Sequence, residues 1–252
     1  MPVFEKEILI PQIKKFIDTN HYSSLNIKAV LIDMDGVLYD SMKNHARSWK
    51  MTADKYNIPS DENEFYLYEG QTGRYTINYL FERSFGRKAS EAEIKEVYTQ
   101  KTDFFTSLGQ APVMPGAKET LLSVTAHNLT PVLVTGSGQD SLLGKLDHNF
   151  PAIFNKSRMV TAKDVSIGKP DPEPYLMGLK KAGVSANEAI VIENAPLGVR
   201  SAVATGIFTI AVNTGPIDDN MLYNEGANIV LQSMKELSNR FDSIIKTFNL
   251  FK

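Results

Sequence analysis

Short apolar segments rich in β-branched residues recur along this chain, and stretches with helical spacing separate them. The apolar segments cover residues 29–33, 131–135, 189–193, 208–212 and 227–231. Runs of this kind predict strands that are buried on both faces, as in a parallel sheet. The helical stretches cover residues 116–127, 172–182 and 196–206, with proline near their starts and glycine near their ends. The alternation predicts an α/β fold, a doubly wound parallel sheet with helices on both faces.

Residues 42–108 break this alternation, because they contain no strand candidate. Two apolar stripes at helical spacing lie there instead. The stripes comprise Met42, Ala46, Trp49, Ala53 and Tyr56, and then Ile94, Val97, Tyr98, Phe104, Phe105 and Leu108. The pattern predicts an all-helical insert in an α/β core. We therefore predict a helical extension at 1–25, a core domain at 26–41 and 109–252, and a helical domain at 42–108.

The composition excludes several classes of protein. The 252 residues include 27 Lys and Arg against 29 Asp and Glu, and this balance argues against nucleic-acid binding. The apolar runs are much shorter than the roughly 20 residues that cross a bilayer. Without cysteine, disulfides and cysteine-ligated zinc are impossible. The N-terminus lacks the pattern of a secretory signal, so we expect a cytoplasmic protein with no membrane or obligate protein partner.

Polar groups follow the predicted strands, at the edge of the sheet where ligands bind in open α/β folds. In chain order they are Asp33 and Asp35, the run Thr135, Gly136 and Ser137, then Lys169, and the pair Glu193 and Asn194. Any one of these pieces alone is more typical of a helix cap, a turn or a loop. Together they supply a nucleophile, a proton carrier, a cation and oxygen ligands for Mg²⁺, which suits phosphoryl transfer.

These residues resemble the four motifs of the haloacid dehalogenase (HAD) superfamily of phosphotransferases. The resemblance covers residues 26 to about 232. It implies a Rossmann-like core, and the helical insert after the first motif resembles the C1 cap domain of that superfamily. The sequences Gly-Lys-Pro-Asp-Pro at 168–172 and Glu-Asn-Ala-Pro-Leu-Gly-Val at 193–199 look like the β-phosphoglucomutase subgroup. The motifs are specific for superfamily and reaction type and much less specific for substrate.

The resemblance implies a catalytic role for each matching residue. Asp33 would attack phosphorus and form an aspartyl-phosphate, and Asp35 would protonate the leaving group and then activate water or another acceptor. Lys169 would steady the negative charge shared by nucleophile and phosphate. Mg²⁺ would be held by the Asp33 carboxylate, the Asp35 backbone carbonyl and Asn194.

Residues that hold the substrate follow from the resemblance and from the apolar stripes. Thr135, counted with the catalytic residues, would hold the transferring phosphoryl group together with Gly136 and Ser137. Lys101 falls on an apolar stripe, where it either snorkels or points into the cleft as a phosphate clamp. His45 shares a stripe with an aromatic residue and is either packed or functional. Both side chains match positions that β-phosphoglucomutases use near the active site.

Two positions depart from the mutase pattern. Asn194 stands where the subgroup usually has a second acid, so Mg²⁺ affinity would drop unless another carboxylate compensates; Glu193 and Glu69 are candidates. Glu69 stands in the cap loop where mutases carry a lysine. A bare carboxylate facing a phosphate costs about 4 kcal/mol per charge pair at 4 Å and a dielectric constant near 20. Glu69 is favourable if it reaches the metal, and is otherwise an exposed side chain on a mobile loop.

The sequence therefore predicts a Mg²⁺-dependent phosphohydrolase that acts on a small phosphorylated substrate. Pyrophosphate is favoured, since Glu69 and Asn194 resemble the pyrophosphatase branch of the subgroup. The alternatives are a β-phosphoglucomutase, a phosphatase of small sugar phosphates, and a binding module without catalysis. A binding module would not need the nucleophile Asp33, so the sequence argues against it.

Overall fold

A parallel sheet of six strands organises the chain, which the computed structural model describes over residues 3–137 and 142–252, with the backbone alone at 142 and 143. The strands are β1 (Ala29–Ile32), β2 (Thr130–Val134), β3 (Met159–Val160), β4 (Ala189–Glu193), β5 (Phe208–Val212) and β6 (Ile229–Leu231). Their spatial order is β3-β2-β1-β4-β5-β6, and every neighbouring pair is parallel. The carboxyl ends of β1, β2 and β4 therefore meet at one edge of the sheet.

Helices cover both faces of this sheet. The α-helices are α1 (Ile10–Asn20), α2 (Met42–Lys55), α3 (Gly73–Phe85), α4 (Glu91–Ser107), α5 (Ala117–Ala126), α6 (Leu142–Asn149), α7 (Glu173–Ala182), α8 (Pro196–Val203), α9 (Asp219–Asn224) and α10 (Met234–Phe248). Val30 and Ile32 of β1 enter an apolar cluster with residues of α5 and α10, whereas Ala29 and Leu31 enter a second cluster with α7. The predicted doubly wound α/β fold is confirmed.

One strand was not predicted. β3 contains only Met159 and Val160, and the residues around it form no apolar run that would distinguish it from a loop. Its hydrogen bonds come from pairing with Leu133 and Val134 of β2 rather than from its own composition. A strand this short is fixed by its neighbour, so local periodicity cannot reveal it.

The insert between β1 and α5 is helical, as the stripes predict, and has an apolar cluster of its own. The cluster comprises Ala46, Trp49, Ala53, Ile58, Phe65, Ile77, Leu80, Phe81, Ile94 and Val97. Only Ile94 and Val97 of the second predicted stripe belong to it; of the other four residues, Tyr98 is 44% exposed and Leu108 is 37% exposed. The two ends of the insert lie side by side: Met114 N donates to Leu38 O (2.9 Å), and Tyr39 pairs with Val113 in an antiparallel bridge.

The two terminal helices pack together on one face of the sheet. Ile13 and Phe16 of α1 are buried in the same apolar cluster as Phe208 of β5, and the rings of Phe16 and Phe208 meet edge to face at 5.2 Å. The apolar residues of α10, from Met234 to Phe248, are buried there as well. Within residues 3–137 and 142–252, no helix is both long and apolar enough to cross a membrane.

Candidate active site

Lys169 lies at the centre of a buried ionic cluster at the carboxyl edge of the sheet. Its Nζ donates to Asp33 Oδ1 at 2.5 Å, to Glu193 Oε1 at 2.6 Å and to the Val134 carbonyl at 3.2 Å. Burial opposes the charge on Lys169, but the two carboxylates outweigh it and hold the pKa of Lys169 well above its usual range. The lysine is therefore a fixed cation beside the predicted nucleophile.

Asp33 is almost completely buried, and burial raises the pKa of its carboxyl group well above the usual value. Lys169 opposes this shift, whereas the negative charges of Glu193 and Asp35 add to it. A divalent cation on the same carboxylate would favour its ionised form. A metal at this position would therefore keep the predicted nucleophile ionised at neutral pH.

Glu193 serves Lys169 rather than an open site. Its Oε1 accepts from Lys169 and from the Tyr175 hydroxyl (2.9 Å), and its Oε2 accepts from the backbone N–H groups of Asn194 (2.8 Å) and Ala195 (3.1 Å). Four donors occupy both oxygens of a side chain with no exposed surface. The interpretation of Glu193 as a metal ligand finds no support in this geometry, and we assign it to orienting Lys169.

Asp35 is contacted by two side chains, and a third contacts one of these two. Ser41 Oγ donates to Asp35 Oδ1 at 2.5 Å, His45 Nε2 lies 3.3 Å from the same oxygen, and His45 Nδ1 lies 2.9 Å from Lys101 Nζ. Burial alone would raise the pKa of Asp35, but the charge and hydrogen bonds of His45 and the hydroxyl of Ser41 lower it to about 2. His45 and Lys101 therefore act together on Asp35, which sequence spacing could not show.

Lys101 is buried, although it carries a charge. Its Nζ lies 4.7 Å from the ring centre of Phe105 and 5.6 Å from that of Trp49, so two aromatic faces support the cation. Burial lowers the pKa of Lys101 to about 8, against the pull of Glu69 and Asp35. The side chain faces the cleft instead of snorkelling to solvent, and this favours the clamp interpretation.

The loop that carries Glu69 is seated on the core. A Cβ placed on Gly168 would lie 2.8 Å from Thr72 Cγ2, and one placed on Gly136 would lie 3.7 Å from the Gly70 carbonyl oxygen. Such close approach needs glycine at 168, because any side chain there would push the cap loop away. The described conformation is therefore one in which the cap loop covers the carboxyl edge of the sheet.

A cavity of about 120 Å³ lies under this loop. The predicted site residues that line it are Asp33, Asp35, His45, Glu69, Lys101, Thr135, Gly136 and Ser137. The others, Lys169, Glu193 and Asn194, are buried and do not line it. Pockets for drug-sized ligands typically measure ~300–1,000 Å³, so this cavity suits a smaller molecule.

Glu69 has no counter-ion in direct contact. Its carboxylate makes no hydrogen bond or ion pair with any residue in 3–137 or 142–252, although it lines the cavity beside Asp33 and Asp35. Burial raises its pKa above the usual value, while nearby His45 and Lys101 oppose the shift. Three carboxylates in one small cavity repel each other, so a cation placed among them would be stabilised.

Asn194 offers an oxygen that fits a metal. Its Oδ1 is buried and finds no hydrogen-bond donor in the described part of the chain. A Cβ on Gly36 would lie only 2.0 Å from Asn194 Nδ2, so the amide is pressed against the loop that contains Asp33 and Asp35. Amide, carboxylate and carbonyl oxygens are the hard ligands that Mg²⁺ takes. Among the described residues no cluster of three His, Cys, Asp or Glu forms a metal site, but the predicted set needs no such cluster.

Thr135 stabilises the loop that follows β2 through a hydrogen bond within that loop. Its Oγ1 accepts from the Ser137 backbone N–H at 3.1 Å, and its own N–H is bonded to Val160 O. The Ser137 amide is thus engaged in the loop, whereas Gly136 is exposed in the cavity wall. The next residues, 138–141, lie outside the part that the structure describes.

Comparison with known proteins identifies the family. The family model for haloacid dehalogenase-like hydrolases matches residues 30–212, which is most of the chain and contains all four motifs. This chain belongs to the haloacid dehalogenase-like hydrolases. The resemblance inferred from the motifs is confirmed.

Relatives of this HAD-like hydrolase are named for different substrates. It is 30% identical to hexitol phosphatase A of Escherichia coli over 215 residues, covering 85% of this chain and 94% of the relative. It is 27% identical to a phosphorylated carbohydrates phosphatase of Thermotoga maritima, covering 87% and 100%. The solved structure of a candidate β-phosphoglucomutase from Bacteroides vulgatus superposes with a TM-score of 0.91 at 50% identity, covering 94% and 97%.

Two residues of this HAD-like hydrolase escaped the sequence analysis. Ser41, the residue directly before α2, donates a hydrogen bond to Asp35, and only the folded loop brings them together. Lys145 of α6 lines the cavity with its Nζ 3.9 Å from the ring centre of Tyr39, and burial lowers its pKa. The available signal was a lysine early in the helix that follows the Thr135 loop.

Proposed function

We propose that this HAD-like hydrolase is a Mg²⁺-dependent phosphohydrolase with inorganic pyrophosphate as its substrate. The observation that carries the proposal is the unpaired carboxylate of Glu69, which faces Asp33 and Asp35 in a cavity of about 120 Å³. That arrangement favours a divalent cation among the three carboxylates, beside Lys101 and Lys145, and leaves space for a compact substrate.

The residues present account for both halves of the reaction. An Asp33 oxygen forms a bond to phosphorus as the bond to the leaving phosphate breaks. The leaving phosphate keeps the proton that pyrophosphate carries at neutral pH, because His45 and Ser41 hold Asp35 in its ionised form, in which it can accept a proton. A water molecule then cleaves the aspartyl-phosphate, and Asp35 takes the proton of that water. Lys169, fixed by Glu193, lies beside the reacting carboxylate throughout.

Magnesium would be held by the Asp33 carboxylate, the Asp35 carbonyl and Asn194 Oδ1, with Glu69 supplying the charge that an amide lacks. Bound there, it would neutralise negative charge on the phosphoryl oxygens. The orphaned Asn194 Oδ1 and the unpaired Glu69 both support this ligand set.

Charge in the cavity supports a substrate with two phosphates. Lys101 and Lys145 line it from the insert and from α6, apart from the Lys169 cluster. When one phosphoryl group lies at Asp33, Lys101 and Lys145 are available to bind the other phosphate, the leaving group, which carries several negative charges.

A sugar-phosphate substrate is the second candidate, since the relatives are named as hexitol phosphatase, carbohydrate phosphatase and β-phosphoglucomutase. The pairing of His45 with Asp35 and Lys101 also suits a mutase, because His45 and Lys101 match positions that β-phosphoglucomutases use near the active site. A larger substrate would need more room than the described cavity offers.

The deciding experiment measures Mg²⁺-dependent phosphate release from pyrophosphate. Parallel reactions contain a hexitol phosphate, or β-glucose-1-phosphate with a trace of glucose-1,6-bisphosphate and an assay for glucose-6-phosphate. We expect fast release from pyrophosphate and no isomerised sugar. Formation of glucose-6-phosphate would overturn the pyrophosphatase assignment and indicate a mutase.

The matched control is Asp33→Asn, which keeps the size of the side chain and removes the nucleophile. We expect it to abolish turnover while Mg²⁺-dependent binding of pyrophosphate, measured by calorimetry, persists. Turnover by this variant would exclude the covalent mechanism.

A further inference from the structure

A second, larger cavity lies next to the active site. It is an open groove of about 690 Å³ between the insert and the core, and its charged rim includes Arg74, Glu91 and Lys95. Arg74 Nη2 and Glu91 Oε2 lie 2.7 Å apart in an ion pair at this rim. The groove is several times larger than the catalytic cavity, and its lining combines charged and hydroxyl side chains with the apolar Ile94 and Ala162, which suits an organic group.

The two cavities share a wall. Gly73, Tyr98, Thr102 and Gly136 line both of them. Tyr98 is by far the largest of the four, so the volume of its ring decides whether the two spaces are one or two.

The ring of Tyr98 rests on the backbone of Gly73. A Cβ at that glycine would lie 2.3 Å from both Cδ2 and Cε2 of the ring, which is much closer than atoms can pack. The Tyr98 hydroxyl donates to nothing within residues 3–137 and 142–252, so packing and not a hydrogen bond holds the ring. Its pKa is raised by burial and by the charge of Asp35, which agrees with a ring that borders the catalytic cavity.

We propose that Tyr98, seated on Gly73, restricts this enzyme to compact phosphates by separating the catalytic cavity from the groove. The inference rests on the proposed phosphohydrolase function and adds the residue that sets its substrate size. Pyrophosphate fits on the catalytic side of the ring, whereas the carbon chain of a hexitol phosphate must enter the space beyond it.

The test compares kcat/KM for a hexitol phosphate with kcat/KM for pyrophosphate in wild type and variants. Tyr98→Ala should raise the ratio about tenfold or more, the scale on which pocket volume discriminates substrates. Tyr98→Leu should raise it less. Tyr98→Phe should keep the wild-type ratio, because the ring and not the hydroxyl forms the wall. Tyr75→Ala, at an exposed tyrosine outside both cavities, is the matched control.

The outcomes separate this inference from the proposed function. A wild type that hydrolyses none of the phosphates contradicts the phosphohydrolase function itself. A wild type that cleaves hexitol phosphate as well as pyrophosphate, or an unchanged ratio in Tyr98→Ala, overturns the role of Tyr98 alone. Alanine favours helix at this half-exposed position of α4, so folding is expected to persist. Should thermal unfolding show otherwise, Tyr98→Leu decides in its place, and an unchanged ratio there overturns the inference.

Discussion

Lys169 is shared by two buried carboxylates, and this sharing explains its rigid position. Asp33 and Glu193 both accept from its Nζ, while Tyr175 and two backbone amides hold Glu193 in place. Breaking a buried pair of this kind typically costs about 3–5 kcal/mol, because it leaves a charge without compensation. Glu193 thus keeps the ammonium group of Lys169 beside Asp33, the predicted nucleophile.

At the residue scale, Glu69 gives the sharpest prediction about the metal. Glu69→Ala should lower phosphate release at limiting Mg²⁺ about tenfold or more, equivalent to ~1.4 kcal/mol or more. The variant removes the charged oxygen that compensates for the amide at Asn194. The measurement is the rate of phosphate release as a function of Mg²⁺ concentration.

The control for this prediction is Glu62→Ala, which removes an exposed glutamate of the insert that pairs with Arg47 outside the cavity. Glu69→Gln, which keeps the shape and removes the charge, should resemble Glu69→Ala. An unchanged dependence on Mg²⁺ in both variants would rule out Glu69 as a metal ligand.

The sequence could predict residues that directly follow a strand, because the sheet fixes where strand ends meet. Asp33, Asp35 and Thr135 line one cavity for that reason. It could not predict that Glu193 faces inward or that Ser41 bonds Asp35, since both depend on side-chain packing in the folded loop. Motif matching therefore could not distinguish a side chain that faces the cavity from one that holds a neighbouring side chain in place.

At the scale of elements, the start of α4 shows how the insert is stabilised locally. Ser90 and Glu93 form a capping box: the Glu93 N–H donates to Ser90 Oγ, and Glu93 Oε2 accepts from the Ser90 N–H at 2.7 Å. The other oxygen of Glu93 accepts from Arg87 at 2.7 Å. Arg87 is the main cause that lowers the pKa of Glu93, which falls to about 2 with the help of Ser90.

This cap predicts a dependence of stability on pH. A carboxyl whose pKa is lowered by folding stabilises the protein above its unfolded pKa, near 4.3, and loses this contribution as pH falls toward 2. Glu93→Gln keeps the capping box and does not titrate. The difference in thermal midpoint between wild type and Glu93→Gln should therefore shrink between pH 6 and pH 3, and a constant difference would contradict the assignment.

Ser90→Ala is the companion variant, because it removes the hydroxyl cap while Arg87 and Glu93 remain paired. It should cost ~1 kcal/mol at pH 7. The helical spacing of apolar residues predicted α4 itself. It did not predict the capping box, because Ser90 and Glu93 precede the first residue of the apolar stripe.

At the scale of the whole molecule, the N-terminal helix belongs physically to the core of the sheet. Phe16 meets Phe208 edge to face, and Phe208 meets Phe248 of α10 at 5.0 Å. The division into an extension at 1–25, a core and a cap stays a prediction. Its first boundary is tested by asking whether α1 contributes to global stability.

Phe16→Ala should lower the free energy of unfolding by about 3–5 kcal/mol, the usual cost of emptying a buried phenylalanine site. Urea denaturation measures this change, and kcat at 25 °C should not change, because α1 lies away from the cavity. Ile8→Ala, at a position that is 46% exposed, is the control and should stay within about 0.5 kcal/mol of wild type. An unchanged urea midpoint in Phe16→Ala would show that α1 does not contribute to global stability.

The paired chain segments at the base of the insert have a consequence for how such enzymes diversify. The chain leaves the sheet at Tyr39 and returns at Val113, where the two residues bridge each other. The segment between these two residues acts as a single loop for the folding of the sheet. The free-energy cost of closing such a loop grows by only about 0.6 kcal/mol for each doubling of its length. An insert of another length or sequence between these two positions would leave the order and pairing of the strands unchanged. A change of the insert can therefore change the range of substrates, while Asp33 and Lys169 keep their positions at the edge of the sheet.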